Sequence, residues 1–310
     1  MTATNDIAAI GECMIELSER DGGFSLAFGG DSLNTSVYLA RLGVGVDYVT
    51  ALGDDPYSEA MLAFWQAEGI GTAHVARLAG RLPGLYTIRT DAAGERSFYY
   101  WRSASAARQM LQGEAGRNLA QELPAYRMLY LTGVSLSILD STSRGCLLTI
   151  IAAARAAGAQ VAFDSNFRPR GWAEAETARH AIELLYRQAD IALSSLDDER
   201  ALFGDADAAG VAARLLDWGV PEVVIKDGAG PCLVALAGRQ LLVPAESVAT
   251  VVDTTAAGDA FNAAYLAARR GGGDPEAAAR AGHRLAASVI QHRGAVIPAG
   301  AMPTAGALGL

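Results

Sequence analysis

Short apolar runs alternate along the chain with longer stretches in which apolar positions recur at helical spacing. Ile7–Ile10 reads as a buried strand, followed by a second extended piece over residues 13–17. Asp21-Gly22-Gly23 turns the chain into a third, 24–28, which Gly29-Gly30 ends. A helix is predicted over about 34–42, with Leu33, Val37 and Ala40 on one face, then a strand over 46–51 and a helix through Met61, Leu62 and Trp65. From Arg127 the alternation is regular: strand 127–132, helix 139–157, strand Gln160–Asp164, a helix through Ile182 and Leu185, strand 190–194 and strand 223–226. Cys232–Leu236 and 240–243 read as an antiparallel pair, and two helices close the chain, 257–269 and one opened by Asp274-Pro275. The expectation is an α/β fold with a mostly parallel central sheet, helices on both faces, and a site at the carboxyl ends of its strands.

Residues 84–102 break that rhythm. Runs 85–90 and 97–102, rich in β-branched and aromatic residues, flank Asp91-Ala92-Ala93-Gly94-Glu95, a hairpin signature. Together with residues 13–28 they predict a small sheet outside the main body, a lid on a single 1–310 domain. Along the second run Phe98, Tyr100 and Arg102 fall on one face. An aromatic surface carrying a guanidinium suits a sugar acid, packing its carbon chain and gripping its carboxylate in bidentate fashion. An exposed hairpin with an ordinary arginine is the alternative.

Composition narrows the picture. The chain has 310 residues, 51% hydrophobic and 19% charged, enough to bury a sizeable core. Its net charge of −9 opposes nucleic-acid binding, and no apolar run is long enough to span a bilayer. The three cysteines (Cys13, Cys146, Cys232) are widely spaced, which gives no thiolate metal site and suits a reducing compartment. With no export signal in the first residues, a cytoplasmic location is expected. Lys226 is the only lysine and follows Ile225, so a Walker A loop is excluded. There is no HExxH and no GxGxxG after the first strand, and the four histidines lack metal-ligand spacing, with His283 and His292 on a helical stretch.

The sharpest constellation is Asp253-Thr254-Thr255-Ala256-Ala257-Gly258-Asp259-Ala260-Phe261-Asn262-Ala263, entered by a strand-like approach through Val248, Val251 and Val252 and opening a helix. Small residues at 256–258 allow a tight turn whose N–H groups, with the helix N-terminus, form an anion site. Asp259, in the first turn, is placed to take a proton from a hydroxyl during phosphoryl transfer. An acidic helix cap is the plain alternative. Gly29-Gly30 lets backbone approach a polyhydroxylated ligand, with Asp31 and Asn34 in reach of its hydroxyls. A strand-ending turn and a helix cap are the competing readings.

These motifs resemble those of the ribokinase-like sugar kinases, the PfkB family. Residues 253–259 match its D-T-x-[GA]-A-G-D string, and Gly29-Gly30, Asn34, Gly43 and Gly53 match its N-terminal signature, with Ser32 where glycine, alanine or proline is usual. Within that family the chain is similar to the 2-keto-3-deoxygluconate kinase branch through residues 11–17, 30–35, 97–108, 164–169 and 195–199. The resemblance implies ATP-dependent phosphorylation of that keto acid at its terminal hydroxyl. A fructokinase or ribokinase-like activity is the nearest alternative, and a non-catalytic sugar-binding protein a remoter one.

The resemblance implies that Asp259 is the base and that Ala256, Ala257 and Gly258 stabilise the transferred group. Gly30, Asp31, Asn34, Tyr86, Tyr100, Arg102 and Arg168 would meet the sugar acid. Asn166, Arg168, Lys226, Gly228, Gly230 and the 256–258 loop would meet the nucleotide, with the helix around Gly282, His283 and Ser288 bordering adenine. Arg168 is open to either carboxylate or phosphate. Many relatives carry Asn-x-x-Glu where this chain has Ser195-Leu196-Asp197-Asp198, so Asp198 is the candidate for Mg²⁺, through water. A monovalent cation near Asp253, as in some relatives, and a homo-oligomer formed through the lid are further implications. Selectivity at C4 is left open.

Overall fold

A computed structural model describes residues 6–20, 22–90 and 96–310, and only the backbone of Arg20, Thr90 and Arg96. The residues read for an export signal (1–5) and the turns read at Asp21 and at 91–95 lie outside the described residues. The strands are β1 (Ile7–Ile10), β2 (Met14–Arg20), β3 (Gly23–Gly29), β4 (Val46–Leu52), β5 (Val75–Arg77), β6 (Gly84–Thr90), β7 (Arg96–Trp101), β8 (Met128–Thr132), β9 (Gln160–Asp164), β10 (Ile191–Ser195), β11 (Glu222–Lys226), β12 (Cys232–Leu236) and β13 (Arg239–Val243). Nine of them form one sheet in the order β13-β12-β11-β10-β9-β8-β1-β4-β5. Its pairings are parallel except at one edge, where β12 runs antiparallel to β11 and β13 antiparallel to β12.

Every residue of β1, β4 and β8 is buried, as a sheet covered on both faces requires. Alternation along β1 sends Ala8 and Ile10 into one core and Ile7 and Ala9 into the other. The second core also holds the faces of helices Asp31–Arg41, Ala257–Arg270 and Pro275–Val289. The remaining four strands make a separate sheet, β3-β2-β6-β7, in which β2 and β6 are parallel and the outer pairings antiparallel. The small sheet expected from residues 13–28 and 84–102 is present.

Four local readings change. A short helix not expected from the sequence, Gly133–Ile138, precedes the helix expected over 139–157, which is observed as Ser141–Ala156. Asp140 starts the latter by accepting the Ser143 N–H at 2.7 Å. The helix expected from residue 34 begins at Asp31, because β3 ends at Gly29 and Gly30 caps the helix directly after it. The approach through Val248, Val251 and Val252 is not a strand, and Val252 instead donates its N–H to the Ile290 carbonyl at 2.8 Å. His292 lies past the helix Pro275–Val289, whereas His283 is inside it, packed edge-on against Phe261, and a short helix not expected from the sequence, Ala305–Leu308, follows.

Candidate active site

Strand ends collect the polar groups, as the topology demands. Gly11 and Glu12 leave β1, Thr132 ends β8, Asp164 ends β9, Ser195 ends β10 and Lys226 ends β11. Two helices point their N-termini at this edge, Asp31–Arg41 and Ala257–Arg270, and they pack against each other. Ala256 caps the second helix in the left-handed region, φ 61°, which fixes the turn that precedes it. The first bond of this turn runs from Ala260 N–H to Ala256 O at 2.8 Å, so the N–H groups ahead of it head the helix. Ala257 turns its N–H back toward Thr254 O at 3.3 Å.

Asp259 sits in that first turn, half-buried. Desolvation by burial, reinforced by the nearby Asp31 and Asp164 carboxylates, pushes its pKa up to about 7. Asn34 works the other way, donating Nδ2–H to Asp259 Oδ2 at 2.8 Å and favouring the ionised form. The Asp31 carboxylate accepts from Thr132 Oγ1 at 2.5 Å and from Asn166 Nδ2 at 2.6 Å. Asn166, read as a nucleotide contact, therefore stands beside Asp31, with φ 30° stabilised by its N–H bond to Asp164 Oδ1 at 3.0 Å.

Lys226 reaches under the 256–258 turn, where a Cβ on Gly258 would lie 3.5 Å from its Nζ. It donates to Asp164 Oδ2 at 2.8 Å and to Asn262 Oδ1 at 2.9 Å. Asn262 closes the triangle by donating to Asp164 Oδ2 at 2.7 Å. Gly228 and Gly230 form the open turn after β11, Gly228 at φ 53°. Around Ser288 a cavity of about 330 Å³ opens between residues 246–248, Arg284, Gln291 and the 303–308 segment.

The second sheet presents Tyr86, Phe98 and Tyr100 to the same space. Tyr86 and Tyr100 have ring centroids 5.8 Å apart, and Phe98 stacks on Tyr100 at 6.5 Å. Burial raises the Tyr100 pKa, while the positive charges of Arg102, Arg168 and Arg170 pull against it. Arg168 pairs with Asp198 at 2.9 Å. Burial in turn raises the Asp198 carboxyl against that partner. Arg102 does not stand free but pairs with the fully buried Glu12.

Gly29 and Gly30 have physical reasons for lacking side chains. A Cβ on Gly29 would lie 2.4 Å from the Tyr86 hydroxyl and one on Gly30 2.1 Å from the Glu12 carbonyl. The unusual Ser32 is accommodated by Gly11, whose Cβ would fall 1.9 Å from Ser32 Oγ.

The structure thus gathers Gly30, Asp31, Asn34, Tyr86, Tyr100, Arg102, Asn166, Arg168, Lys226, Asp259 and the 256–258 turn at one edge. Sequence reasoning gave no role to Glu12, Glu16 (which accepts the Tyr86 hydroxyl), Thr132, Asp164, Arg170 or Asn262. Four of these, Glu12, Glu16, Asp164 and Asn262, lie inside the strings already singled out, which was the available signal.

An open, mostly parallel sheet with a small strand sheet over its carboxyl edge defines a ribokinase-like kinase. A PfkB protein from Polaromonas sp. JS666 superposes with a TM-score of 0.86 at 29% identity, over 99% of both chains. A fructokinase with bound ATP from Xylella fastidiosa does so at 0.83 and 26%, over 97% of this chain and 96% of its own. The 2-dehydro-3-deoxygluconokinase of Escherichia coli strain K12 is 50% identical over 304 residues, 96% of this chain and 98% of that one. The chain matches the pfkB family carbohydrate kinases over residues 4–302 and belongs to that family.

Proposed function

We propose that the chain transfers the γ-phosphoryl group of ATP to the terminal primary hydroxyl of 2-keto-3-deoxygluconate, giving 2-keto-3-deoxy-6-phosphogluconate and ADP. The observation that carries this is Asp259, raised to about 7 and hydrogen-bonded by Asn34 beside a helix N-terminus. A base poised near neutral pH can accept the hydroxyl proton as the phosphorus arrives. The 256–258 turn offers main-chain N–H groups where charge builds on the transferred group, and Lys226 adds a positive charge from below. The identity to the Escherichia coli kinase supports the same substrate here, and the ATP of the Xylella fastidiosa structure supports the nucleotide.

Three guanidinium charges felt at an aromatic face suit a ligand with a carboxylate and a carbon chain. A neutral hexose has no use for them, which disfavours a fructokinase. The 330 Å³ cavity beside Ser288 is of the size for adenine. The small sheet acts as a lid that excludes water, which competes as phosphoryl acceptor.

Asp198 and Asp164 fit Mg²⁺, which commonly takes one or two carboxylates and keeps its waters. When bound, Mg²⁺ supplies charge neutralisation on the nucleotide phosphates. Asp253 braces its loop, its oxygens accepting the Thr255 N–H at 2.8 Å and the Gly294 N–H at 3.0 Å.

Among the described residues no helix is long and apolar enough to cross a membrane. The need for ATP and three free cysteines suit the cytoplasm. The outer face of the lid carries exposed Phe24, Leu26, Tyr99 and Trp101, and we read it as the contact between two copies of the chain. The test of function is a coupled ADP-release assay over keto-deoxy acids, neutral hexoses and pentoses. Turnover confined to a neutral sugar would overturn the proposal.

A further inference from the structure

Glu12 is a carboxylate at the sheet edge whose burial the chemistry above does not explain. It follows β1 through Gly11, its side chain has no exposure, and neither oxygen has a partner in hydrogen-bond geometry among the described residues. Its charge neighbour is Arg102, whose Nη2 meets Oε2. A buried carboxylate normally collects several donors, because losing water costs several kcal/mol, about what one well-placed counter-charge returns. Stability alone gives little reason to keep the pair.

The surroundings are cut to this pair. A Cβ on Gly84 would lie 2.9 Å from Glu12 Oε1, 2.9 Å from Met14 Cγ and 3.1 Å from Arg102 Cβ, so a larger residue there would press on both members of the pair. Arg102 directly follows β7 and faces Tyr100 from its own strand end. Its guanidinium therefore has one edge against Glu12, with its Nε–H buried and unpaired. A planar fork held on one edge presents the other in a single orientation, and this lowers the entropy lost when a carboxylate docks.

We infer that Glu12 is a positioning residue for acid selectivity, holding Arg102 so that its remaining N–H groups meet the substrate carboxylate. The inference rests on Arg102 gripping that carboxylate. It assigns Glu12 no contact with substrate and no part in phosphoryl transfer.

The test compares KM and kcat for 2-keto-3-deoxygluconate and for its neutral primary amide in Glu12→Gln, Arg102→Met and the double variant. Glu12→Gln should raise KM for the acid about tenfold, the worth of one charge-assisted hydrogen bond, with much smaller changes in kcat and in KM for the amide. The double variant should match Arg102→Met, because Glu12 acts only through that side chain. Equal losses for acid and amide, or additive effects, would overturn the inference and leave Glu12 a fold residue. If Arg102→Met keeps full preference for the acid, the grip itself is wrong and the inference goes with it. Should Glu12→Gln fail to fold, Glu12→Asp keeps the charge but draws the guanidinium back. It should raise KM for the acid several-fold and spare the amide, and unchanged acid selectivity in that variant overturns the inference equally.

Discussion

The Asn34 side-chain amide donates to the Asp259 carboxylate at 2.8 Å, joining residues 225 positions apart in the chain. The contact exists because helices Asp31–Arg41 and Ala257–Arg270 pack together with both N-termini at the sheet edge. It also sets a balance. Burial and the Asp31 and Asp164 charges raise the Asp259 pKa, and Asn34 lowers it by bonding the ionised form.

Activity should follow that balance. A base must be ionised to act, so kcat/KM rises as pH climbs through about 7, levels off above it and falls away below. Asn34→Ala removes the influence that favours the anion, so the midpoint of the profile should move to higher pH. Asp259→Asn should cost roughly 10²–10⁴-fold in kcat and abolish the inflection. A midpoint unmoved or lowered in Asn34→Ala would show that another group titrates.

The same raised pKa makes Asp259 a cost to folding at neutral pH. The folded state binds a proton that the unfolded chain has released between the usual aspartate range and about 7, so stability drops as pH rises across that window. Asp259→Asn should therefore melt higher than the parent at pH 8, and the two melts should converge at pH 4. Differential scanning calorimetry at both values decides it, and a variant less stable at pH 8 would contradict the assigned burial.

Lys226 has two functions that can be separated. It neutralises the buried Asp164 and places a cation beneath Gly258. Lys226→Met strands the carboxylate and should cost about 3 kcal/mol in denaturant unfolding, besides a large rise in KM for ATP. Lys226→Met with Asp164→Asn should regain most of the stability and none of the ATP affinity. Equal stability of single and double variants would mean that Asp164 never depended on the lysine.

Much of this architecture was legible in the chain. Gln160–Asp164 and Cys232–Leu236 coincide with observed strands because each is a continuous apolar run in a covered sheet, the first ended by the polar Asp164 and the second bounded by Pro231 and Gly238. The Asp259 helix was legible because small residues followed by an acid specify a turn into a helix N-terminus. The helix Gly133–Ile138 is hidden because it is only six residues long and follows β8 with no intervening loop. The short helix Leu196–Phe203 went unread because Asp197, Asp198 and Glu199 looked like chemistry rather than a helix start. Partnerships were the hidden layer. Nothing near Arg102 in sequence announces Glu12, and nothing near Lys226 announces Asp164 and Asn262, since those contacts follow from which strands are neighbours.

The lid face gives a physical test of assembly. Leu17 pairs with Leu26, Leu85 with Trp101 and Thr87 with Tyr99, so these residues share the face opposite Tyr86 and Tyr100. Trp101→Lys combined with Leu26→Lys should convert a dimer into a monomer in sedimentation-velocity experiments. A parent chain already sedimenting at monomer mass would dismiss the contact.

Ser32 offers a test of packing at the site's floor. The family position usually holds a smaller or more rigid residue, yet here the serine is fully buried, its Oγ 2.9 Å from the Tyr48 hydroxyl. Gly11 makes room, since a Cβ there would fall 1.9 Å from Ser32 Oγ and 2.8 Å from its Cβ. Gly11→Ala should therefore destabilise the chain by about 2 kcal/mol, typical of overpacking in a rigid core, and should raise the sugar KM because Asp31 and Asn34 share the helix that must shift. Ser32→Gly in the same chain removes both clashing atoms and should recover most of the loss, at the expense of the bond to Tyr48. If Gly11→Ala is neutral by calorimetry, or if Ser32→Gly fails to relieve it, the two positions are not coupled through volume.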